Sequence, residues 1–128
     1  MEKKTLLVVD DNEDVRQATR RAFGRDFEIF EAADQGEALV IYDTKSPDVV
    51  FLDIDLNGLP RGWDILQRIR ERGRKAIVLL VTSLATAEKH PLISQADGLF
   101  PKPFDLKSMR TFLAKKGMLF CRDRTPAG

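Results

Sequence analysis

Thr5 to Val9, Phe27 to Glu31, Val49 to Leu52, Ala76 to Val81 and Gly98 to Phe100 are short runs rich in Val, Ile, Leu and Phe. Helical patterns fall between them, and this alternation constrains the chain more than any other feature of it. Three of the runs are continuously apolar, as strands buried on both faces must be. Phe27-Glu28-Ile29-Phe30-Glu31 partly alternates, which suits an edge strand with one wetter side. Strands that alternate with helices are joined by right-handed crossovers into a parallel sheet covered on both faces. The expected architecture is therefore one three-layer α/β/α domain around a five-stranded parallel sheet.

The helical segments carry their own punctuation. Val15, Ala18, Ala22 and Phe23 recur at helical spacing, with Asn12 placed to cap the start and Gly24 near the stop. Ile65, Leu66 and Ile69 repeat the pattern, and Arg68, Arg70 and Arg72 before Gly73 suit a helix C-terminus. Leu106, Met109, Phe112 and Leu113 form the last helix, opened by Asp105 and closed by Gly117. Pro91 lies inside Ala85 to Gln95, so that helix is expected to start late or to be short. No internal repeat or interdomain linker interrupts the series, and residues 122–128 read as a loose tail.

Composition enters mainly by exclusion. No apolar stretch approaches the ~20 residues needed to span a bilayer. The four apolar residues after Thr5 are too few for the core of a signal peptide. With 21 basic and 20 acidic residues the net charge is +1, which gives no global attraction to nucleic acid or acidic lipid. The single cysteine, Cys121, forms no intrachain disulfide and fits a reducing cytoplasm. One Cys and one His, His90, leave no zinc set and no hydrolase triad. Neither standard glycine-rich phosphate loop is present. Any chemistry must use carboxylates, hydroxyls, lysine and a bound ion.

In an open parallel sheet, ligands sit at the carboxyl ends of the strands, where strand order reverses. Asp10 and Asp11 follow the first run, Asp53 the third, Thr82 and Ser83 the fourth, and Lys102 the fifth, past Pro101. Three acids on one rim raise one another's pKa unless cations neutralise them. Lys102 supplies one positive charge and a divalent ion would supply two. Oxygen ligands on a rim with room for water suit Mg²⁺. A set brought near neutrality in this way is ready to accept the charge of a phosphoryl group, and a carboxylate can take that group as an acyl phosphate.

The motifs L-L-V-V-D-D-N at 6–12, V-V-F-L-D at 49–53, V-T-S at 81–83 and K-P-F at 102–104 together resemble the receiver domain of bacterial two-component response regulators. The resemblance covers roughly residues 5 to 116. It implies a flavodoxin-like fold with strand order 2-1-3-4-5. Position by position, it implies that Asp53 accepts a phosphoryl group from a histidine kinase or histidine phosphotransfer protein. Asp11 matches the direct Mg²⁺ ligand, Asp10 the acid that helps hold the ion, and the backbone carbonyl of Asp55 a further ligand. Thr82 matches the hydroxyl that bonds the phosphoryl group, and Lys102 the lysine that pairs with it, with a cis Lys102–Pro103 bond. A receiver is a signalling module and not an enzyme, so output is expected through an unknown downstream protein. The face of helix four, strand five and helix five, with Leu99, Lys107 and Arg110, is the expected surface. The whole is expected to span residues 1–121 with a tail at 122–128, as a cytoplasmic monomer or weak homodimer that binds neither nucleic acid nor membrane. It would be a stand-alone regulator or the receiver of a larger protein.

Two departures from the family pattern stand out. Leu99 occupies the place of the switch aromatic, three residues before the lysine, with Phe100 beside it. Receivers commonly carry Pro four and Gly eight residues after the phosphoacceptor. Here Asn57 fills the first place and Gly62 comes nine on, so the loop reads one residue longer. Other residues have plainer readings: His90 as a surface residue, Trp63 as packing at the start of the third helix, and the arginines at 16, 20, 21, 25, 68, 70, 72 and 74 as solvated helix faces. Asp55 is either a solvent-facing loop acid or a group that orients water for hydrolysis of the acyl phosphate. Two rival functions stay open at this level. Asp53-Ile54-Asp55 also resembles the D-x-D motif of haloacid-dehalogenase-type phosphatases, and a receiver fold can serve as a phosphorylation-independent interaction module.

Overall fold

A computed structural model describes residues 3–73, 76–83, 86–103 and 105–119. Five strands, β1 (Lys4–Val9), β2 (Phe27–Ala32), β3 (Val49–Leu52), β4 (Ile77–Thr82) and β5 (Gly98–Pro101), form one parallel sheet in the order β2-β1-β3-β4-β5. The helices are α1 (Glu13–Phe23), α2 (Gln35–Lys45), α3 (Gly62–Glu71) and α4 (Leu106–Lys115). This is the expected α/β/α architecture, with β2 at one edge.

Alternate residues of each strand feed two cores. Leu7, Val9, Val50, Leu52, Val78 and Leu80 pack on the α2 and α3 side, with Ile65, Leu66 and Ile69. Leu6, Val8, Phe51, Leu79 and Val81 pack on the other, with Phe23 of α1 and Met109 and Leu113 of α4. Burying each large side chain contributes about 1.5–3 kcal/mol, so the double core holds the strand register firmly. That register places Val9 beside Leu52 and Leu52 beside Leu80. The three central strands thus deliver the residues after them to one rim.

α2 shows no helical periodicity. Ala38 to Tyr42 is a continuous apolar run, yet Ala38 and Tyr42, four apart, are buried while Val40 is 61% exposed. Its start is nevertheless written in the chain. Asp34 accepts from the Glu37 N–H at 2.9 Å, and Glu37 reaches back to the Ala33 N–H at 2.7 Å, a reciprocal cap.

The helix expected within Ala85 to Gln95 is replaced among the described residues by two 3₁₀ turns, Ala87–Lys89 and Pro91–Gln95. Proline drives the residue before it out of helical geometry, and His90 is extended at φ −73°, ψ 141°. His90 is not a plain surface residue. Its ring stacks on buried Trp63 at 3.8 Å and 9°, and its Nδ1 accepts from the Leu92 N–H at 3.0 Å.

The arginines divide as well. Arg20, Arg21, Arg25, Arg68 and Arg72 are exposed, and Arg74 lies outside the described residues. Arg70 instead ties α3 to the far end of the sheet, donating to the Gln95 and Ala76 carbonyls and to Asp97, each within 2.9 Å. Arg110 donates to the Ala22 carbonyl and to Asp26, so it joins α4 to α1 and does not belong to the expected output face. Cys121, Phe104 and the tail at 122–128 fall outside the described residues. No described helix is long and apolar enough to cross a membrane.

Candidate functional site

The pairing of β1 with β2 and that of β3 with β1 each continue one bond past the strand. The Asp10 N–H donates to the Ala32 carbonyl and the Asp53 N–H to the Val9 carbonyl, both at 3.0 Å. These bonds pin the backbone of both acids at the point where strand order reverses. Asp10 is 2% exposed and Asp53 6%, and their carboxylates share the Lys102 ammonium at 2.8 and 3.0 Å. Lys102 arrives from the end of β5, where its N–H donates to the Thr82 carbonyl at 3.0 Å and its peptide bond to Pro103 is cis. Thr82 closes β4, buried beside Pro101 of β5. Asp11, one residue past Asp10, is exposed.

Each of the three acids is aimed by one backbone N–H. Asn12 donates to Asp10 Oδ1 at 2.9 Å and Asp55 to Asp53 Oδ1 at 3.2 Å, both from two residues downstream. Asp11 Oδ2 accepts from Asn57, 46 residues away, at 2.9 Å. Asp55 itself contributes this N–H to the site and leaves its side chain exposed.

Two supports were not apparent in the sequence reading. Arg16, grouped there with solvated helix faces, donates to the Asp10 carbonyl at 2.8 Å and to Glu31 of β2 at 3.1 Å. The extra residue after Asp53 is accommodated by a tight hairpin in which Leu56 and Leu59 exchange both backbone bonds, at 2.9 and 3.1 Å. Asn57 and Gly58 form its tip at φ 55° and 79°, the left-handed pair that Asn-Gly favours. That dipeptide was a readable signal. Behind the hairpin, a Cβ on Gly62 would lie 2.4 Å from Ile54 Cα and 2.5 Å from the Asp53 carbonyl oxygen. Only glycine lets α3 start so close to the acid.

The electrostatics follow from burial and from one shared cation. Burial pushes the Asp53 carboxyl above its ordinary value against the Lys102 hydrogen bond, and the Asp10 charge adds to the rise. Burial alone would lower Lys102, but its bonds and charge contacts with Asp10 and Asp53 hold it above its ordinary value. One carboxylate oxygen from each of Asp10, Asp11 and Asp53 lies within 4.8 Å of the others. Three oxygen donors against one ammonium leave an excess of negative charge at a solvent-facing rim. This donor set fits a hard divalent cation that keeps part of its water, as Mg²⁺ does.

The fold and rim define a flavodoxin-like α/β protein with an acidic, oxygen-lined site at its topological switch point. Within that class the chain belongs to the response regulator receiver domain family, whose family model matches residues 6–114. It is 33% identical over 109 residues to the chemotaxis protein CheY of Halobacterium salinarum, covering 83% of this chain and 90% of that one. It is 28% identical over 118 residues to sporulation initiation phosphotransferase F of Bacillus subtilis, covering 90% and 94%. The solved response regulator TrrA of Thermotoga maritima, in complex with Mg²⁺ and BeF, superposes with a TM-score of 0.79 at 26% identity, covering 88% and 97%. The chain is thus a receiver domain of phosphorylation-based two-component signalling. Receiver domains work with histidine kinases or phosphotransfer proteins and are generally signalling modules, not enzymes. The family match sets the chain apart from the haloacid-dehalogenase-type phosphatases that Asp53-Ile54-Asp55 also resembles.

Proposed function

We propose that Asp53 is the phosphoacceptor of this receiver, taking a phosphoryl group from a histidine kinase or histidine phosphotransfer protein. The observation that carries the reading is the Lys102 ammonium held between Asp10 and Asp53, with Asp11 completing a group of carboxylate oxygens within 4.8 Å. Asp10, Asp11, Asp53 and the backbone carbonyl of Asp55 would hold Mg²⁺. Bound there, the ion supplies positive charge that offsets the acids and the entering phosphoryl oxygens.

The residues of the chain do the rest. Asp53 attacks phosphorus through a carboxylate oxygen, and the bond from phosphorus to the donor's nitrogen breaks in line. Lys102 pairs with the transferred group, and the Thr82 hydroxyl bonds to it. Asp55 is assigned the orientation of water for hydrolysis, which an Asp55→Asn variant with an unchanged acyl phosphate lifetime would refute. The unit spans residues 1–121, with a tail at 122–128, and acts in the cytoplasm as a monomer or weak homodimer without nucleic acid or membrane. Its output runs to another protein through the segment 86–101 and the start of α4, including Leu99 and Lys107.

Intact mass after incubation with Mg²⁺ and acetyl phosphate tests the reading. The expected result is one added phosphoryl group, dependent on Mg²⁺ and absent in Asp53→Asn. If no adduct forms and beryllofluoride does not bind, the phosphorylation-independent module replaces it.

A further inference from the structure

We infer that the Asn57-Gly58 hairpin is a positioning device that sets the chain's affinity for its divalent cation by holding Asp11. The inference rests on the receiver reading above and adds a determinant within the same site. Asp10 and Asp53 are buried, shared by Lys102, and each is aimed by an N–H two residues downstream. Asp11 has none of these restraints. It is exposed, and the N–H that aims it comes from across the site, at 2.9 Å from Asn57.

The hairpin explains why that N–H is available. In a two-residue turn the flanking residues exchange the backbone bonds, here Leu56 with Leu59, so the N–H of the first tip residue is not consumed by the turn. It points outward and finds Asp11 Oδ2. The hairpin is also firmly seated: Leu56 is 1% exposed, the Arg61 N–H donates to the Leu59 carbonyl at 2.8 Å, and the Gly62 N–H to the Ile54 carbonyl at 2.9 Å. Both tip residues need positive φ, which Asn tolerates and Gly accepts without cost. Tip geometry, the Asn57 N–H and the Asp11 carboxylate therefore form one unit. Groups that orient a ligand typically change metal affinity by about 10- to 100-fold when lost. Because the coupling is reciprocal, a cation held by Asp11 also steadies the hairpin and the exposed Leu59 beside its tip.

Calorimetric titration of the intact chain with MgCl₂ alone tests this without any turnover. Gly58→Val strains the tip at φ 79°, where a Cβ meets nothing within 4 Å, so its effect comes from the backbone and not from a clash. Its affinity for Mg²⁺ is expected to fall about 10-fold, with the melting curve in EDTA checking that the domain is folded. Asn57→Gly keeps both the N–H and the left-handed backbone and is expected to bind within about twofold of the parent. Folded Gly58→Val that binds as the parent does, or Asn57→Gly that loses as much as Gly58→Val, overturns the inference. Asp11→Asn keeps the two failures apart. If it binds Mg²⁺ as well as the parent, the receiver-type metal reading has failed. If it loses binding while Gly58→Val does not, only the hairpin's role has failed.

Discussion

Asp53→Asn is expected to stabilise the metal-free domain, although it removes the proposed phosphoacceptor. At an effective dielectric of about 20, two carboxylates as far apart as 4.8 Å repel by about 3.5 kcal/mol, and Asp53 has two such neighbours. The Lys102 ammonium at 3.0 Å returns about 5.5 kcal/mol of attraction. Asp11 is exposed and solvent weakens its share, so the Coulomb terms nearly cancel. Burial then decides the sign, because Asp53 is only 6% exposed and an ionised group loses hydration there. Asn has one acceptor oxygen where Asp53 uses two, so it keeps the bond from Lys102 or the one from the Asp55 N–H but not both, a loss of about 1 kcal/mol that the removed charge outweighs. A gain of about 1–2 kcal/mol is expected, or roughly 4–10 °C in Tm for a domain of this size.

The pH dependence follows from the same cause. A carboxyl whose pKa is raised on folding, as burial raises that of Asp53, binds its proton more tightly in the folded state. Its cost is therefore full above the folded pKa and gone below the ordinary value of 3.8, so the mutant's advantage holds at neutral pH and closes on acidification. Saturating Mg²⁺ should raise the Tm of the parent and narrow the gap, because a ligand stabilises the state that binds it. The assay is thermal unfolding in EDTA and in Mg²⁺ across pH. A mutant that melts below the parent in EDTA at neutral pH would show that the bond to Lys102 outweighs burial, and would refute the reasoning.

Two further substitutions probe the frame around the acids. Lys102→Met leaves Asp10 and Asp53 buried without their shared cation and should cost about 3 kcal/mol in urea unfolding. Most of that loss should return on adding Asp53→Asn, and an unmoved midpoint would mean the ammonium is not what balances the pair. Gly62→Ala sets a Cβ 2.4 Å from Ile54 Cα, a backbone clash that no rotamer relieves, and should cost about 2 kcal/mol or more. It should also slow phosphoryl uptake by displacing Asp53, and wild-type melting and labelling would contradict the close approach.

Where the chain repeats a physical pattern, it reads clearly. The apolar runs place all five strands to within a residue or so at their ends, and the acids, Thr82 and Lys102 emerge from the rim that parallel topology designates. What escapes is set by partners distant in sequence. α2 buries only a narrow stripe of a continuously apolar run, so periodicity is silent and only its cap announces it. The segment at 87–95 breaks into 3₁₀ turns because Pro91 constrains His90, while the stack on Trp63 that seats it needs the tertiary fold. Arg16 and Arg70 look like any surface arginine until β2 and the end of β4 come alongside. Asn57-Gly58 is a turn signal that the comparison with the family pattern passes over as one extra loop residue, and its bond to Asp11 exists only after strand order brings residues 46 apart together.

The stack of Trp63 on His90 gives the domain an optical handle. The chain has one tryptophan and one histidine, and the structure lays one ring on the other. The indole directly follows Gly62, whose backbone abuts the Asp53 carbonyl, and the imidazole belongs to the segment between β4 and β5. Emission from a lone indole changes when the ring against it moves. Unlabelled protein therefore reports the separation of these two parts of the fold as a change in light, residue-specific without any engineered probe.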